Sequence, residues 1–364
     1  MSSINLYKQI CQLLEEERKG VLATIIMTRG STPVSALSKM VVLDGGANII
    51  GTVGGGCLEA QVITDSKTVY ETGIPDIKTY TMTEDDIEGG LICGGTLDIL
   101  LELLNSAMLP VFKKLLDNCL EGKDAVLGTV LTKDSMSKKF LVTEGEKGTD
   151  LPEEIFARTE FKDVAHEVRR TGKTLIYEIG GSKIVLEPVA GVYTVVIFGG
   201  GHVSKFVAEA AQRTGFAVCV VDDRAKFASR KRFPTVEQVV CAGFREAFSQ
   251  LRINEKTYLV IVTRGHSYDE VVLEEALKTP AGYIGMIGSK RKISKTYDNL
   301  RERGVGISKL KNVFSPLGVD IGAETAEEIA VSIVADLIKF RHIKHDKSAP
   351  HLRDSMRPYF KKNK

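Results

Sequence analysis

The chain has 364 residues, of which 43% are hydrophobic and 26% are charged, and its formal net charge is +2. These values are typical of soluble globular domains, exclude a largely disordered chain, and give no general signal for nucleic-acid binding. No apolar run approaches the roughly 18 residues of a membrane span, and residues 1–11 lack the pattern of a secretory leader. The length alone predicts two or three domains.

The cysteines indicate a reducing compartment. None of the six forms a Cys-x-x-Cys pair or has zinc-ligand spacing to the six histidines, so we expect a cytoplasmic protein. Cys219 and Cys241 belong to apolar runs and are predicted to be small, buried side chains in strands. Cys57 and Cys93 differ from these because each is flanked by glycines.

Residues 1–190 show an irregular mixture of helical and extended patterns, which predicts a mixed α/β domain. Apolar residues at helical spacing predict helices over 4–18, 58–70 and 109–120. Short apolar or alternating runs predict strands over 21–27, 39–43, 48–53, 77–82, 96–103, 125–131, 139–142, 175–179 and 183–187. Turn residues at 44–47 and 180–182 predict hairpins.

A domain boundary is expected at 188–191, so the second domain covers 191–364. There the pattern becomes regular, with strands predicted over 193–198, 217–222, 236–241, 258–263 and 283–287. Helices alternate with them over 203–213, 246–250, 268–278 and 291–303, and a last helix is predicted over 325–340. This alternation predicts a Rossmann-like, doubly wound parallel sheet.

A glycine-rich turn follows the first strand of this second domain. The run Gly199-Gly200-Gly201-His202 leads into a helix and gives the spacing Gly-x-Gly-x-x-Ser, with Ser204 in place of a third glycine. Gly199 permits a tight turn, and Gly201 lets a pyrophosphate approach backbone N–H groups at the helix start. We therefore predict a nucleotide or phosphate site at this turn.

The second strand ends in Asp222, Asp223 and Arg224. Asp222 lies 21 residues after Gly201, where a carboxylate can meet ribose hydroxyls, and the neighbouring Arg224 leaves both NAD and NADP open. The alternative is a Rossmann scaffold that binds another phosphate-bearing ligand, or none.

Two further loops follow strands of the same sheet, where open α/β folds place ligands. His266 lies in one of them and is a candidate base, metal ligand or phosphate contact, or alternatively a capping residue. The other loop contains Gly288 and Ser289, followed by Lys290 and Arg291. Amides at a helix start beside two cations suit an anion, although a solvated basic helix start gives the same pattern.

In the first domain, Gly54-Gly55-Gly56-Cys57 places a thiol at the opening of a predicted helix. The positive end of the helix dipole stabilises a thiolate, and the glycines let a ligand approach the backbone. Cys93 is also flanked by glycine, and we expect the two thiols to lie close together and to hold a soft metal or pass sulfur between them. The alternative is two tightly packed loops in which cysteine acts as a small hydrophobic residue.

The C-terminal segment is basic. From Arg341 to the end there are eight Lys and Arg residues and two Asp residues, a local charge of +6. We interpret it as a solvated terminus, with an acidic partner or nucleic acid as the alternative.

Together these motifs resemble those of the XdhC/CoxI family, the accessory factors of xanthine dehydrogenase and related molybdenum hydroxylases. The resemblance covers most of the chain. In the first domain it rests on segments 29–33, 39–40, 54–59 and 93–95, and in the second on 198–203, 221–224, 263–266, 283–289 and 315–325. The segment 315–325, Ser-Pro-Leu-Gly-Val-Asp-Ile-Gly-Ala-Glu-Thr, is the most specific of them.

The resemblance implies a maturation role rather than turnover catalysis. Such proteins are thought to bind the molybdenum cofactor (molybdopterin), to assist its sulfuration with a cysteine desulfurase, and to deliver it to the apo-hydroxylase. Cys57, as a metal-contacting thiol, and Cys93 would then face the cofactor or its incoming sulfur. We expect a homodimer, with no nucleic acid and no membrane as partner.

One loop departs from the family pattern. The family commonly has Pro-Arg in the segment that begins at Arg29, with a glycine three residues after that second arginine; here Val34 follows Pro33, and Leu37 stands at the glycine position. This departure favours a divergent branch that serves a different hydroxylase. Two alternatives to the accessory role are an NAD(P)-dependent oxidoreductase and a non-catalytic scaffold that joins desulfurase and hydroxylase.

Overall fold

The structure is a computed structural model that describes residues 3–30, 32, 36–81, 95–132, 135–143, 159–179 and 181–343. The chain divides into two compact units, the first formed by residues 1–119 and 123–191 and the second by 120–122 and 192–364. Cys93 and the basic segment after 343 lie outside the described residues, so the predictions for them stay predictions.

The first unit contains four helices and nine strands among its described residues. The helices are α1 (Ser3–Glu15), α2 (Gly56–Thr72), α3 (Leu109–Leu120) and α4 (Thr159–Thr171). The strands are β1 (Gly20–Arg29), β2 (Lys39–Leu43), β3 (Asn48–Gly51), β4 (Asp76–Thr81), β5 (Thr96–Leu103), β6 (Ala125–Leu131), β7 (Lys138–Thr143), β8 (Leu175–Ile179) and β9 (Ser182–Val189). They form one antiparallel sheet in the order β3-β2-β1-β5-β4 and another in the order β7-β6-β9-β8.

Alternation along the strands gives each sheet two buried faces. In β1, Val21, Ala23 and Ile25 pack with α2, whereas Ile26 meets side chains of the second sheet. The second sheet likewise turns one face to α4, through Phe140 and its neighbours. The order of layers is therefore helix, sheet, sheet, helix.

Two Lys–Glu pairs join the facing sheets. Lys139 of β7 lies 2.7 Å from the Glu102 carboxylate of β5, and both side chains are fully buried. The Lys139 ammonium also donates to the Thr129 hydroxyl at 2.8 Å, and Ser137 donates to Glu102 at 2.9 Å. Lys39 of β2 pairs with Glu187 of β9 in the same way. Both Lys–Glu pairs therefore cross from one sheet to the other.

Removing one partner of the Lys139–Glu102 pair should cost far more than removing both. Lys139→Met leaves a buried carboxylate without its cation, which costs about 3–5 kcal/mol, whereas replacing a buried pair by apolar residues is often close to neutral. We expect urea denaturation to give a large loss of unfolding free energy for Lys139→Met and most of it to return in Lys139→Met/Glu102→Met. Equal losses would mean that the pair does not act as a unit.

The second unit is the doubly wound domain. Its strands are β10 (Thr194–Phe198), β11 (Ala217–Asp222), β12 (Gln238–Cys241), β13 (Thr257–Ile261) and β14 (Tyr283–Met286). Its helices are α5 (His202–Arg213), α6 (Phe244–Ala247), α7 (His266–Ala276), α8 (Lys290–Glu302), α9 (Ile307–Leu310) and α10 (Ala326–Ile343). The strands are all parallel, in the order β12-β11-β10-β13-β14.

Helices cover both faces of this parallel sheet. Val195 and Ile197 of β10 belong to the core that includes α5 and α10, whereas Val196 and Phe198 pack with α7 and α8. Burial on both faces explains why the strands are continuous apolar runs. The predicted fold class, a mixed α/β domain followed by a Rossmann-like parallel sheet, is confirmed.

The structure corrects two details. Cys241 is exposed at the end of the edge strand β12, so the prediction of a buried thiol there was wrong, whereas Cys219 is buried as expected. Helix α4 was not predicted, although Phe161, Ala165 and Val168 repeat at helical spacing and are buried. Among the described residues, no helix has both the length and the apolar character needed to cross a membrane.

Candidate functional site

Cys57 lies in the first turn of α2 and is exposed. The three residues before it, Gly54, Gly55 and Gly56, all have positive φ, at 131°, 79° and 61°. Other residues pay about 1–2 kcal/mol for this conformation, so glycine is required for the turn. A methyl group added at Gly55 or Gly56 would meet no atom within 4 Å. The thiol therefore begins a helix beside open space.

The turn before Cys57 is held by side chains rather than by packing. The Thr52 hydroxyl donates to Glu59 at 2.5 Å and accepts from the Gly54 N–H at 3.0 Å. The Glu59 carboxylate also accepts from the Val53 N–H at 3.2 Å. Because these contacts fix the turn, Cys57 is held at a defined place at the positive end of the α2 dipole.

Arg29 is the first residue of segment 29–33, and it forms a salt bridge with an aspartate. Its guanidinium lies 2.8 Å from Asp98 of β5, and Asp98 also accepts from the Thr79 hydroxyl at 2.8 Å. The arginine remains more than half exposed. Ser31 and residues 33–35 of this loop lie outside the described residues, so the departure from the family pattern at Val34 stays an observation of the sequence.

In the second unit, the glycine turn lies where β10 ends. Gly199 has φ 111°, and an added Cβ would come 2.5 Å from the carbonyl oxygen of Val262. An added Cβ at Gly201 would meet nothing within 4 Å, so the backbone at the start of α5 is open to a ligand. Arg232 donates to the Gly200 and Gly201 carbonyls at 2.8 and 2.7 Å, a contact that no sequence motif had indicated.

Asp222 is buried, and both of its oxygens are engaged. One accepts from the Gly200 N–H at 2.7 Å, and Arg224 binds both, at 2.8 and 3.0 Å. The Arg224 guanidinium also stacks on Phe227, 3.7 Å from the ring centre. A ribose hydroxyl would therefore reach Asp222 only if Arg224 moved away, and Arg224 is the group that a ligand meets first. The assignment of Asp222 to ribose stays a prediction.

A salt bridge spans the end of β10. Arg264 follows β13 and Asp223 follows β11, and these two strands lie on either side of β10. The Arg264 guanidinium donates to the Asp223 carboxylate at 2.8 Å. The Arg264 guanidinium also donates to the Tyr268 hydroxyl at 2.6 Å. This contact with Arg264 lowers the pKa of Asp223. His202 and His266 are exposed at the starts of α5 and α7, on the same edge of the sheet.

A buried carboxylate of α7 connects this helix to α8, which begins after the loop that follows β14. Asp269 of α7 is fully buried, accepts from the Thr263 hydroxyl at 2.6 Å and pairs with Lys292 of α8. Ser289 caps α8 by accepting from the Lys292 N–H at 3.3 Å, and Gly288 precedes it. Asp269 was not singled out from the sequence, because an acid in the first turn of a helix is ordinarily an exposed capping residue.

Nothing in the described part of the chain brings three or more His, Cys, Asp or Glu side chains together around a metal position. Among these residues Cys57, the candidate metal contact of the first unit, is therefore not part of such a group. Its closeness to Cys93 stays a prediction, because Cys93 lies outside the described residues.

The two glycines of the turn should respond differently to alanine. Gly199→Ala forces a Cβ against the Val262 carbonyl in a left-handed conformation, so we expect a loss of about 2–4 kcal/mol of unfolding free energy. Gly201→Ala places its methyl in open space and should cost less than about 1 kcal/mol. Urea denaturation of both variants checks this, and equal costs would contradict the geometry.

The Asp223–Arg264 bridge gives a pH-dependent prediction. Arg264→Met should raise the pKa of Asp223 toward its ordinary value and, because the pair is partly exposed, cost less than about 1 kcal/mol at neutral pH. A lowered carboxyl pKa contributes stability above the unfolded-state pKa, and this is lost as pH falls through the folded-state pKa. The difference in unfolding free energy between Arg264→Met and the parent protein should therefore vanish in acid. NMR titration of Asp223 with denaturation at both pH values checks the sign; a difference that persists in acid would contradict it.

The fold and the site define a class: a two-domain α/β protein whose Rossmann-type domain follows a domain that presents an exposed thiol on a glycine turn. Sequence models of known families match both parts. The model of the XdhC Rossmann domain matches residues 195–337, and the model of the XdhC and CoxI family matches residues 13–81. The chain belongs to the XdhC and CoxI family.

Individual relatives agree with this assignment. The chain is 28% identical over 342 residues to a probable xanthine dehydrogenase component from Bacillus subtilis, covering 93% of this chain and 98% of the relative. It is 22% identical to the molybdenum cofactor insertion chaperone PaoD of Escherichia coli, and the match covers 93% of this chain and 89% of PaoD. A crystal structure of a xanthine dehydrogenase from Bacillus halodurans has the same fold, with a TM-score of 0.74 at 22% identity. The match covers 96% of this chain and 98% of that structure's chain.

Proposed function

We propose that this protein is an accessory factor in the maturation of a molybdenum hydroxylase of the xanthine dehydrogenase type. In this role it binds the molybdenum cofactor as cargo and passes it to the apo-hydroxylase. The family membership supports the proposal, as does cofactor insertion by the relative PaoD. The observation that carries it for this chain is the exposed Cys57 on its turn of three glycines.

Cys57 suits a soft metal or an incoming sulfur. A thiolate is the form that binds molybdenum and the form that attacks a persulfide. In the second case the Cys57 thiolate attacks the outer sulfur of a persulfide on a cysteine desulfurase, and the desulfurase cysteine leaves as a thiolate. The open space beside Gly55 and Gly56 gives the cofactor or the partner access to the thiol.

The second unit contributes a phosphate site in this proposal. The first N–H groups of α5 have no acceptor within the helix, as at any helix start, and a Cβ added at Gly201 would meet no atom within 4 Å, which leaves space for a phosphate. The phosphate belongs either to the pterin cofactor or to a nucleotide such as NAD or NADP. His202, Asp222, Asp223 and Arg224 lie at the same edge as candidate contacts, and the loop with His266 and the loop with Gly288 and Ser289 adjoin it.

An NAD(P)-dependent oxidoreductase is the second candidate, because the strand order and the glycine turn are those of a dinucleotide-binding fold. A substrate-dependent change in nicotinamide absorbance would favour it. A scaffold that joins desulfurase and hydroxylase would instead retain full function without its cysteines. We expect the protein to act as a homodimer, which light scattering on the purified chain would test.

Cys57→Ser should abolish or strongly reduce both cofactor retention and hydroxylase maturation. The structure offers a matched control, because Cys241 is also exposed but lies at the end of β12 in the second unit. The measurement is the molybdopterin retained after anaerobic loading, read as its fluorescent oxidation product, together with the activity of a co-expressed hydroxylase. We expect at least a tenfold loss for Cys57→Ser and no change for Cys241→Ser.

Two results would overturn the assignment of Cys57. One is retention of cofactor by Cys57→Ser at the level of the parent protein, with normal maturation. The other is an equal loss in Cys241→Ser, which would indicate general thiol damage rather than a defined site.

A further inference from the structure

A cavity of about 290 Å³ lies in the first unit. Its wall is formed by the start of α1, the residues that lead into β2, and the turn after β3. The lining residues include Ser3, Tyr7, Leu37, Ser38, Lys39 and Thr52. At about 30 Å³ for each water molecule, this volume accommodates a phosphate or carboxylate with a small substituent.

Lys39 is the charged side chain in this wall, and its side chain is 5% exposed. Its partner, Glu187, is 1% exposed and is not among the lining residues, so Lys39 is the member of the ion pair that borders the cavity. The ammonium has a further contact, at 3.4 Å, with the Thr24 hydroxyl. Within the described residues it has no third acceptor, although an ammonium has three N–H groups.

The rest of the wall supplies hydroxyl groups and no carboxylate. Ser3, Tyr7 and Ser38 are the hydroxyl-bearing residues available there, because the Thr52 hydroxyl already donates to Glu59. Burial raises the pKa of Tyr7 well above its ordinary value, and the nearby Glu187 carboxylate adds to this, so the phenol stays protonated. A neutral phenol and a lysine ammonium are both hydrogen-bond donors, which suits an anion.

Leu37 lies in the same wall in a strained conformation. Its φ is 72°, in the left-handed region that favours glycine, and its N–H donates to the Ile25 carbonyl at 2.8 Å. A leucine there costs about 1–2 kcal/mol of backbone strain, and such strain concentrates at functional sites.

The second Lys–Glu pair shows what a purely structural pair looks like. Lys139 and Glu102 join the same two sheets, but both are fully buried, and neither lines the cavity. A buried ion pair contributes little net stability. The placement of Lys39 at a donor-rich cavity is therefore better explained by recognition of a ligand than by stability.

We propose that this cavity is a binding site for a small molecule with an oxyanion group, a phosphate or a carboxylate, whose charge Lys39 meets and whose size Leu37 limits. The site goes beyond the maturation role, because it needs neither the molybdenum cofactor nor Cys57. Its failure would leave that role untouched.

The experiment is calorimetric titration of the full chain with inorganic phosphate and, separately, with acetate, at low chloride. Lys39→Met/Glu187→Met removes the pair without leaving a lone buried charge, and Lys139→Met/Glu102→Met is the matched control. We expect the first variant to bind the preferred anion at least tenfold more weakly and the control to bind within twofold of the parent. The anion that binds more tightly identifies the group recognised.

Leu37→Gly tests the site without touching the ion pair, and decides the matter if the first variant does not fold. We expect phenyl phosphate, or benzoate if acetate is the preferred anion, to gain at least fivefold in affinity relative to the unsubstituted anion. Unchanged anion binding in folded Lys39→Met/Glu187→Met overturns the proposal. So does unchanged size selectivity in Leu37→Gly, or the absence of binding of either anion to the parent protein.

Discussion

The glycine run at 54–56 is the constraint on which the position of Cys57 depends. Three successive residues with positive φ turn the chain so that α2 begins with an exposed Cys57 and with open space beside Gly55 and Gly56. Thr52 and Glu59 hold this turn with hydrogen bonds, so the position of the thiol is defined even though it is exposed. An exposed, positioned thiol at the positive end of a helix can meet a metal or an incoming sulfur.

The second unit gathers a different set of charged side chains at one edge of its parallel sheet. Arginines dominate that edge, but each is held by an acid or a carbonyl: Arg224 by Asp222, Arg264 by Asp223, and Arg232 by the glycine turn. The salt bridges pre-order the arginines and keep the loops together. A phosphate that enters here competes with carboxylates for guanidinium groups that are already in place.

Much of this architecture follows from the sequence. The parallel sheet was predictable because strands buried on both faces are continuous apolar runs that alternate with helical patterns, and the glycine turn and Cys57 were recognisable as motifs. Contacts between distant residues were not predictable. Arg232 lies 31 residues from Gly201, and Lys39 lies 148 residues from Glu187, so no local spacing connects them. Cys241 was misjudged because an apolar run does not reveal that its strand is at the sheet edge, where the last side chain is exposed.

The most direct test of the role of Cys57 is its alkylation by iodoacetamide, followed by mass spectrometry of the full chain with and without the molybdenum cofactor under anaerobic conditions. We expect Cys57 to be alkylated readily in the free protein and to be protected at least tenfold when the cofactor is bound, whereas alkylation of Cys241 stays the same. Alkylation of Cys57 at the same rate in both states, with cofactor demonstrably bound, would contradict this role.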